Sequence, residues 1–337
     1  MNHIKTGLES LDAILDGGLP KGALMQIFGE KAVGKSILTS QMAYKNLENK
    51  ENSLIIDTEQ GFKNTIACYW HQRFSKRFGL DPIIKYPLIK RFAVKGRERR
   101  VNEAEVKSAI EAALSSLKIN YTKAQLDQAS WSFLPEVELD YEVSGDKPTV
   151  FVLEVPNLHD LLLLHGIRCD LIISESGRVE VRLLPGTSFN AVESSLGKIV
   201  KENRISLISY DSLSMPLKST FVGTQDFPGR SAAIALILGQ AQKLCSTQNV
   251  CVVSLNHVTV HPITGQNKPY GGQIVGYDFK FSLLLERAHY SIVDDRTVVN
   301  PSSAKDANRV LRIHRHPSYP EHSKSIALKL GEEGFVQ

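Results

Sequence analysis

An apolar segment that runs directly into a glycine-rich loop and then a helical pattern constrains this 337-residue chain more than any other feature. Residues 23–28 have the composition of a buried strand, and residues 37–47 have helical spacing. Between them stands Gly29-Glu30-Lys31-Ala32-Val33-Gly34-Lys35-Ser36, which matches the pattern G-x4-G-K-[ST]. In such a loop, backbone N–H groups converge on phosphate oxygens, the lysine reaches the β- and γ-phosphates, and the hydroxyl binds Mg²⁺. The motif therefore predicts a nucleotide site formed by Gly29 to Ile37, with Lys35 contributing to catalysis and Ser36 to metal binding.

The composition is that of an ordinary globular chain. Basic residues number 40 and acidic residues 36, which gives a formal charge of +4, and 42% of the residues are hydrophobic. These values exclude a disordered, collagen-like or coiled-coil protein as an overall description. No apolar run approaches the roughly 20 residues that span a bilayer, and the first residues carry no signal-peptide pattern, so a cytoplasmic location is expected. The four cysteines are scattered without a CxxC pair, which predicts neither a disulfide framework nor a zinc site.

Two further strand patterns end in acidic side chains. Residues 53–59 form an apolar run that ends Asp57-Thr58-Glu59, and residues 205–212 form another that ends Tyr210-Asp211-Ser212. The carboxyl ends of parallel strands share one edge of a sheet with a P-loop, so Glu59 and Asp211 are expected to converge on the phosphates. There Asp211 would complete the magnesium site and Glu59 would polarise the attacking water. An acid at a strand end also commonly just begins a loop, but the P-loop favours the functional interpretation.

The motifs together resemble those of a known family. Residues 4–12, Ile4-Lys5-Thr6-Gly7-Leu8-Glu9-Ser10-Leu11-Asp12, residues 17–22, Gly17-Gly18-Leu19-Pro20-Lys21-Gly22, and the following loop resemble the opening of the ATPase core in RecA-type recombinases, especially the archaeal RadB- and RadA-like proteins. This resemblance implies an α/β P-loop NTPase of RecA type, with a twisted, mostly parallel sheet flanked by helices. It also implies ATP and Mg²⁺ as cofactors and ATP hydrolysis in DNA recombination and repair.

The resemblance extends to individual residues of the nucleotide site. Glu59 matches the catalytic glutamate of the family, and Asp211 matches its second acidic motif. Asn256 and His257 end a strand whose polar end senses the γ-phosphate, where the family usually carries Asn-Gln. His257 departs from that pattern, because its ring can donate a hydrogen bond but can also become charged near neutral pH.

Two loops of the family bind single-stranded DNA, and their positions here are residues 217–230 and 259–272. In these loops Lys218, Arg230 and Lys268 would meet phosphates, and Phe221 and Tyr270 would stack on bases. As isolated segments, both loops are also compatible with ordinary solvated surface, so the prediction depends on the family position. The resemblance implies DNA, most simply single-stranded, and a second copy or a recombinase as partners.

The spacing of the strands predicts an interrupted core. Residues 1–79 and 148–337 are assigned to the core and residues 80–147 to an inserted α+β subdomain, with a hairpin near 169–185 that is expected to extend or edge the core sheet. Within the insertion, Asn102 and Glu105 form a capping box for a helix over residues 102–119. The basic run over residues 85–100 has two interpretations, a nucleic-acid arm or internal pairing with an acidic strand at 136–146.

Alternatives to the recombinase interpretation remain open at this point. RadA-like proteins carry a DNA-binding domain and a linker before the core, whereas this sequence reaches the core pattern within a few residues of Met1, which favours a RadB-like accessory protein. KaiC-like signalling ATPases share the pattern over residues 6–22, but they usually show Glu-Glu where Thr58-Glu59 stands here. A third possibility is a nucleotide-gated binding module in which the ATP state matters more than turnover.

Overall fold

A large, mostly parallel sheet, the main sheet, organises the protein. The computed structural model describes residues 2–95, 99–123, 125–126, 136–174, 177–260, 267–272, 275, 278–288, 290–293, 296–299 and 307–337. In spatial order the main sheet contains Gly334–Val336, Ser325–Gly331, Arg309–Arg315, Phe281–Arg287, Leu24–Gly29, Cys251–Val260, Ile205–Asp211, Asn52–Asp57, Thr149–Glu154 and Ile83–Lys85. Asn267–Pro269 pairs with Cys251–Val260 as an eleventh strand. The seven strands from Phe281–Arg287 to Ile83–Lys85 run parallel, and the three at the C-terminal end are antiparallel.

Helices cover both faces of this sheet. They span Glu9–Ile14, Lys35–Asn46, Lys63–Trp70, which is a π-helix, His71–Phe78, Glu103–Ser116, Leu158–Leu164, Ser195–Glu202, Ser214–Thr220 and Phe227–Gln248, with short 3₁₀ turns at Leu47–Asn49 and Thr224–Asp226. One core cluster contains Leu38, Met42 and Phe74, and the other contains Leu161, Ile199 and Ile237. Alternate residues of the central strands enter opposite clusters, as a sheet buried on both faces requires. None of the described helices is long and apolar enough to cross a membrane.

Smaller sheets are attached to the main sheet. Leu88–Lys95, Arg99–Asn102 and Glu136–Asp140 form a three-stranded antiparallel sheet, here called the insertion sheet. Cys169–Ile173 and Val179–Leu183 form the surface hairpin. His3–Ile4 pairs with Leu19–Pro20, and Tyr290–Val293 pairs with Arg296–Val299. Asn102 accepts a hydrogen bond from the Glu105 N–H, which is the capping contact expected for the helix that follows.

The α/β class with a mostly parallel sheet is confirmed. The surface hairpin forms as expected, but the expectation that it extends or edges the main sheet is wrong, because its two strands pair with each other and with no strand of the main sheet in the described part of the chain. Val179 and Val181 instead pack against the core cluster that contains Ile237, over the helix Phe227–Gln248. Ile83–Lys85 joins the edge of the main sheet, while the insertion sheet begins at Leu88. The division into a core of 1–79 and 148–337 and a subdomain of 80–147 stays a prediction.

Candidate nucleotide site

The glycine-rich loop connects the strand Leu24–Gly29 to the helix Lys35–Asn46 at the centre of the main sheet. Gly34 has φ +106°, a conformation that favours glycine, and it directly precedes the helix, whose N-terminus faces the loop. The ammonium of Lys35 is buried and donates to the carbonyl oxygens of Gly29 (3.0 Å) and Glu30 (2.7 Å). The loop therefore has the strand, turn and helix that phosphate binding requires.

The register of the central strands brings the predicted acidic and sensing residues to the same edge. Asp211 is directly opposite Asp57, and His257 is directly opposite Gly29. Gly29, Asp57 and Asp211 end their strands, and His257 ends the part of Cys251–Val260 that pairs in parallel with Leu24–Gly29. The side chains of Asp57, Asp211 and His257 therefore lie at the edge of the sheet that carries the loop. Glu59 follows Asp57 at this edge and accepts a hydrogen bond from Ser212, the residue after Asp211, so the two acidic segments lie together as predicted.

Glu59 is the centre of a hydrogen-bonded network. Its Oε1 accepts a hydrogen bond from the Ser212 hydroxyl (2.7 Å) and lies 3.4 Å from His257 Nε2. These contacts lower the pKa of Glu59 to about 2, His257 contributing most. Glu59 is therefore ionised at any pH near neutrality and can hold a water molecule as a hydrogen-bond acceptor.

The electrostatics of the loop favour a cation beside Asp211. Burial, reinforced by the neighbouring charges of Glu59 and Asp57, raises the pKa of Asp211 to about 7, although a hydrogen bond from Ser36 opposes the rise. Burial also lowers the pKa of Lys35, while Asp211 and Glu59 act in the opposite direction. A metal ion would favour the ionised Asp211, and a hydroxyl with a carboxylate is a donor set that suits Mg²⁺. The residues present thus fit a magnesium–nucleotide complex.

Asp57 has a structural role that the sequence pattern did not reveal. Its two carboxylate oxygens accept hydrogen bonds from the backbone N–H groups of Glu59 (3.1 Å), Gly61 (3.3 Å) and Phe62 (2.8 Å). Thr58 connects the same turn to the neighbouring strand, because its hydroxyl donates to the Ser212 carbonyl (2.6 Å) and accepts from the Ser212 N–H (2.9 Å). These contacts fix the backbone that carries Glu59. The only available signal was the position of an acid two residues before Glu59, which is a common place for a turn-capping side chain.

The predicted γ-phosphate sensors lie between the nucleotide site and the predicted DNA loops. The Asn256 side chain donates to the Tyr270 carbonyl (2.8 Å) and accepts from the His257 N–H (3.0 Å). His257 Nδ1 lies 3.0 Å from Lys218 Nζ, and that ammonium lies 4.7 Å from the centre of the Tyr270 ring. Asn256 therefore contacts Tyr270 of the predicted DNA loop 259–272, and His257 contacts Lys218 of the predicted DNA loop 217–230.

The candidate DNA-contacting residues are placed differently from one another. Arg230 donates to the Tyr270 hydroxyl (3.1 Å) and also stacks on the Phe227 ring, and Lys268 is exposed on the strand Asn267–Pro269. Phe221 is only 4% exposed and packs in a core cluster. In this conformation Phe221 has no face open to a base, because its ring packs against that cluster. Residues 261–266 of the second predicted loop lie outside the described residues.

Where it is described, the basic run of the insertion pairs with acidic side chains, two in the insertion and one on the helix Leu158–Leu164. Lys90 contacts Asp140 (2.5 Å), Lys85 lies 3.5 Å from Glu142, and Arg91 donates through Nε to the buried Asp160 (2.7 Å). These contacts favour the interpretation of charge pairing over that of a nucleic-acid arm. Residues 96–98 lie outside the described part of the chain, as do the side chains of 93–100.

Comparisons with known proteins agree with the motifs. Residues 4–81 match the model of a family described as the KaiC ATPase. A DNA repair and recombination protein RadB of Thermococcus sibiricus is 44% identical over 59 residues, which cover 18% of this chain and 25% of that protein. The chain resembles RecA-type ATPases. This confirms the resemblance inferred from residues 4–22 and the loop, and the fold is accordingly RecA-like.

Other similar proteins carry different descriptions. A UPF0273 protein of Saccharolobus solfataricus is 30% identical over 142 residues, which cover 40% of this chain and 50% of that protein. The archaeal flagellar ATP-binding protein FlaH of Methanocaldococcus jannaschii is 37% identical over 57 residues, 17% of this chain and 24% of that protein. A crystal structure of the RadB recombinase aligns over 99% of both chains at 16% identity, with a TM-score of 0.49. The chain thus spans about a quarter to a half of the length of the curated relatives it matches.

Proposed function

We propose that this protein hydrolyses ATP with Mg²⁺ and that single-stranded DNA controls the hydrolysis, as part of DNA recombination or repair in the manner of a RadB-like protein. The observation that carries the proposal is the contact path from Glu59 through His257 to Lys218, with separations of 3.4 Å and 3.0 Å. This path joins the group that would hold the attacking water to a cation on a predicted DNA loop. A phosphate of DNA bound by Lys218 would compete with its contact to His257, so DNA and ATP would influence the same two side chains.

Each residue of the site has a defined role in this proposal. Lys35 and the N–H groups of the loop would bind the β- and γ-phosphates, and Ser36 and Asp211 would hold the magnesium ion. When bound, the magnesium ion would neutralise negative charge on the phosphates. Glu59 would orient the attacking water, and Asn256 with His257 would contact the γ-phosphate side. Lys218, Arg230, Lys268 and Tyr270 would contact DNA, in a homo-oligomer or beside a recombinase.

The relatives support the biological setting of the proposal. The RadB of Thermococcus sibiricus is described as a DNA repair and recombination protein, and a RadB of Pyrococcus furiosus is 37% identical over 59 residues. Because these matches cover about 18% of this chain, the setting is carried over as part of the proposal.

ATP turnover with and without single-stranded DNA tests the proposal. We expect DNA to stimulate turnover, and Glu59→Gln to lower turnover at least about a hundredfold while ATP binding persists, because a general-base contribution is lost. Arg230→Ala should lose the stimulation. Lys243→Ala is the matched control, since Lys243 is exposed on the same helix but contacts Phe189 and its carbonyl.

Two results would contradict the proposal. Normal hydrolysis by Glu59→Gln would remove the catalytic assignment. Turnover that ignores DNA, together with no DNA binding in the presence of ATP, would remove the DNA-dependent part and leave an ATPase.

A KaiC-like signalling ATPase is the second candidate, and the family match over residues 4–81 favours it. The FlaH relative is likewise described by ATP binding and not by DNA. This candidate predicts turnover that is indifferent to DNA and a response to a protein partner. Incubation with γ-labelled ATP separates the two, because phosphate retained on the protein would favour the signalling class.

A further inference from the structure

The glycine-rich loop is held in place by the C-terminal part of the chain. A Cβ atom on Gly29 would lie 2.2 Å from the carbonyl oxygen of Leu285, so the strand Phe281–Arg287 passes directly against the start of the loop. A Cβ atom on Gly34 would lie 2.9 Å from the ring of Phe335 and 3.1 Å from Leu330. Neighbouring protein atoms therefore leave no room for a side chain at either position, in addition to the close approach of a phosphate that the motif requires.

A hydrogen bond orients the middle of the loop. Arg309 Nε donates to the carbonyl oxygen of Val33 at 2.8 Å, and its Nη1 donates to the Asn308 carbonyl at 2.7 Å. The C=O and N–H of a trans peptide point in opposite directions. Holding the Val33 carbonyl towards Arg309 thus turns the N–H of Gly34 away from Arg309. That N–H is one of the groups that such a loop presents to a phosphate.

The last two strands, Ser325–Gly331 and Gly334–Val336, form a C-terminal hairpin that is tied to the helix following the loop. Gln41 on that helix exchanges two hydrogen bonds with the Phe335 backbone, accepting from its N–H (2.8 Å) and donating to its carbonyl (3.1 Å). Asn308 exchanges two more with Leu330, at 2.8 Å and 3.1 Å. Phe335 is completely buried. The hairpin, Arg309 and the loop thus form one hydrogen-bonded and packed unit.

We propose that Arg309 and the C-terminal hairpin are positioning elements of the nucleotide site, which keep the loop in the shape that binds ATP phosphates. The proposal rests on the ATP-binding part of the proposed function and is independent of DNA. Arg309 and Phe335 act through the backbone of Val33 and Gly34, so their loss should weaken ATP binding more than the chemical step. Neither residue lies in the segment that matches the family model, which ends at residue 81.

Paired substitutions on one strand test the proposal. Arg309→Met keeps the length of the side chain and removes the donor to Val33. Arg312→Met is the matched control, because Arg312 lies on the same strand and pairs with Glu286 at 3.2 Å. We expect Arg309→Met to raise the Kd and KM for ATP about tenfold, with kcat at saturating ATP within about twofold of wild type, since a hydrogen bond from a charged donor is lost. Arg309→Lys should recover part of the affinity, and Phe335→Leu should weaken it in the same direction.

Hydrogen exchange on the wild-type protein gives a readout that needs no substitution. Because coupling is reciprocal, ATP that tightens the loop should also protect amides of the hairpin at residues 325–336. Equal ATP affinities of Arg309→Met and Arg312→Met would overturn the proposal, and so would protection of residues 29–38 by ATP without any change at 325–336. If ATP protects neither segment, the ATP-binding part of the proposed function fails and this inference fails with it.

Discussion

The buried pair His165–Tyr210 predicts a specific loss of stability in acid. His165 ends the helix Leu158–Leu164 and is 2% exposed, and the Tyr210 hydroxyl lies 2.8 Å from its Nε2. Burial lowers the pKa of His165 from 6.5 to about 4. The unfolded chain therefore takes up a proton on this ring at a pH where the folded chain does not. The contribution of the neutral His165 to the free energy of unfolding is complete above pH 6.5, and it is lost as the pH falls towards 4.

The magnitude follows from the pKa difference. At about 1.4 kcal/mol for each pKa unit, the fall from 6.5 to about 4 corresponds to a loss of about 3 kcal/mol between pH 7.5 and pH 4. The double variant His165→Phe, Tyr210→Phe removes the titrating ring together with its hydroxyl partner. Replacing both members by apolar rings of similar shape costs little. Its stability should therefore approach or exceed that of the wild type as the pH falls.

Urea unfolding followed by circular dichroism at pH 4, 5, 6 and 7.5 measures this difference. The free energy of unfolding of the double variant minus that of the wild type should rise by about 3 kcal/mol from pH 7.5 to pH 4. The single variant His165→Phe separates the two effects, because it leaves the Tyr210 hydroxyl buried without this partner and should be about 1–3 kcal/mol less stable than the double variant at every pH. Parallel curves for the wild type and the double variant would refute the assignment of a neutral, acid-sensitive His165.

Two further predictions concern single side chains. Arg91→Gln should lower the free energy of unfolding by about 3–5 kcal/mol, because it leaves the buried Asp160 without its bidentate partner. Lys90→Gln, which loses only the exposed contact to Asp140, should cost less than about 1 kcal/mol in the same urea titration. Asp57→Ala should reduce ATP turnover more than ATP affinity, because it removes the acceptor for three backbone N–H groups around Glu59. An equal loss of turnover and affinity would indicate that Asp57 supports the phosphate-binding loop and not the backbone around Glu59.

The parts of the site that the sequence predicted are those defined by local pattern. The strand and helix around the loop follow from consecutive apolar residues and glycines. The placement of Glu59 beside the end of the strand that carries Asp211 follows from the rule that parallel strands end at one edge. The contact between His257 and Lys218 joins residues 39 positions apart, and no periodicity encodes it. Phe221 illustrates the same limit, since an aromatic residue in a glycine-containing loop has the same signature whether it faces solvent or the core.

The surface hairpin shows why pairing is easier to predict than placement. Alternating residues around a Gly-containing turn predict that Cys169–Ile173 and Val179–Leu183 pair, and they do. Where the pair docks depends on distant partners: Asp226 accepts from the Val179 N–H at 2.9 Å, and Gly229 leaves room for the Val179 carbonyl. Both partners lie more than 40 residues away, on the predicted DNA loop 217–230. The hairpin therefore packs against that loop, and nothing in the sequence of the hairpin itself predicts this contact.

The nucleotide loop extends this reasoning to affinity. Its sequence signature is complete within residues 29–36, yet the carbonyl of Val33 is held by Arg309 and Gly34 packs on Phe335. A phosphate-binding loop works through the directions of its N–H groups, and those directions are set by whatever contacts the opposite side of each peptide plane. Two chains with identical loop sequences and different C-terminal strands should therefore bind ATP with different affinities. The motif determines which phosphate-binding groups the loop contains. We expect the contacts from Leu285, Arg309 and Phe335 to determine how well those groups are oriented before ATP binds.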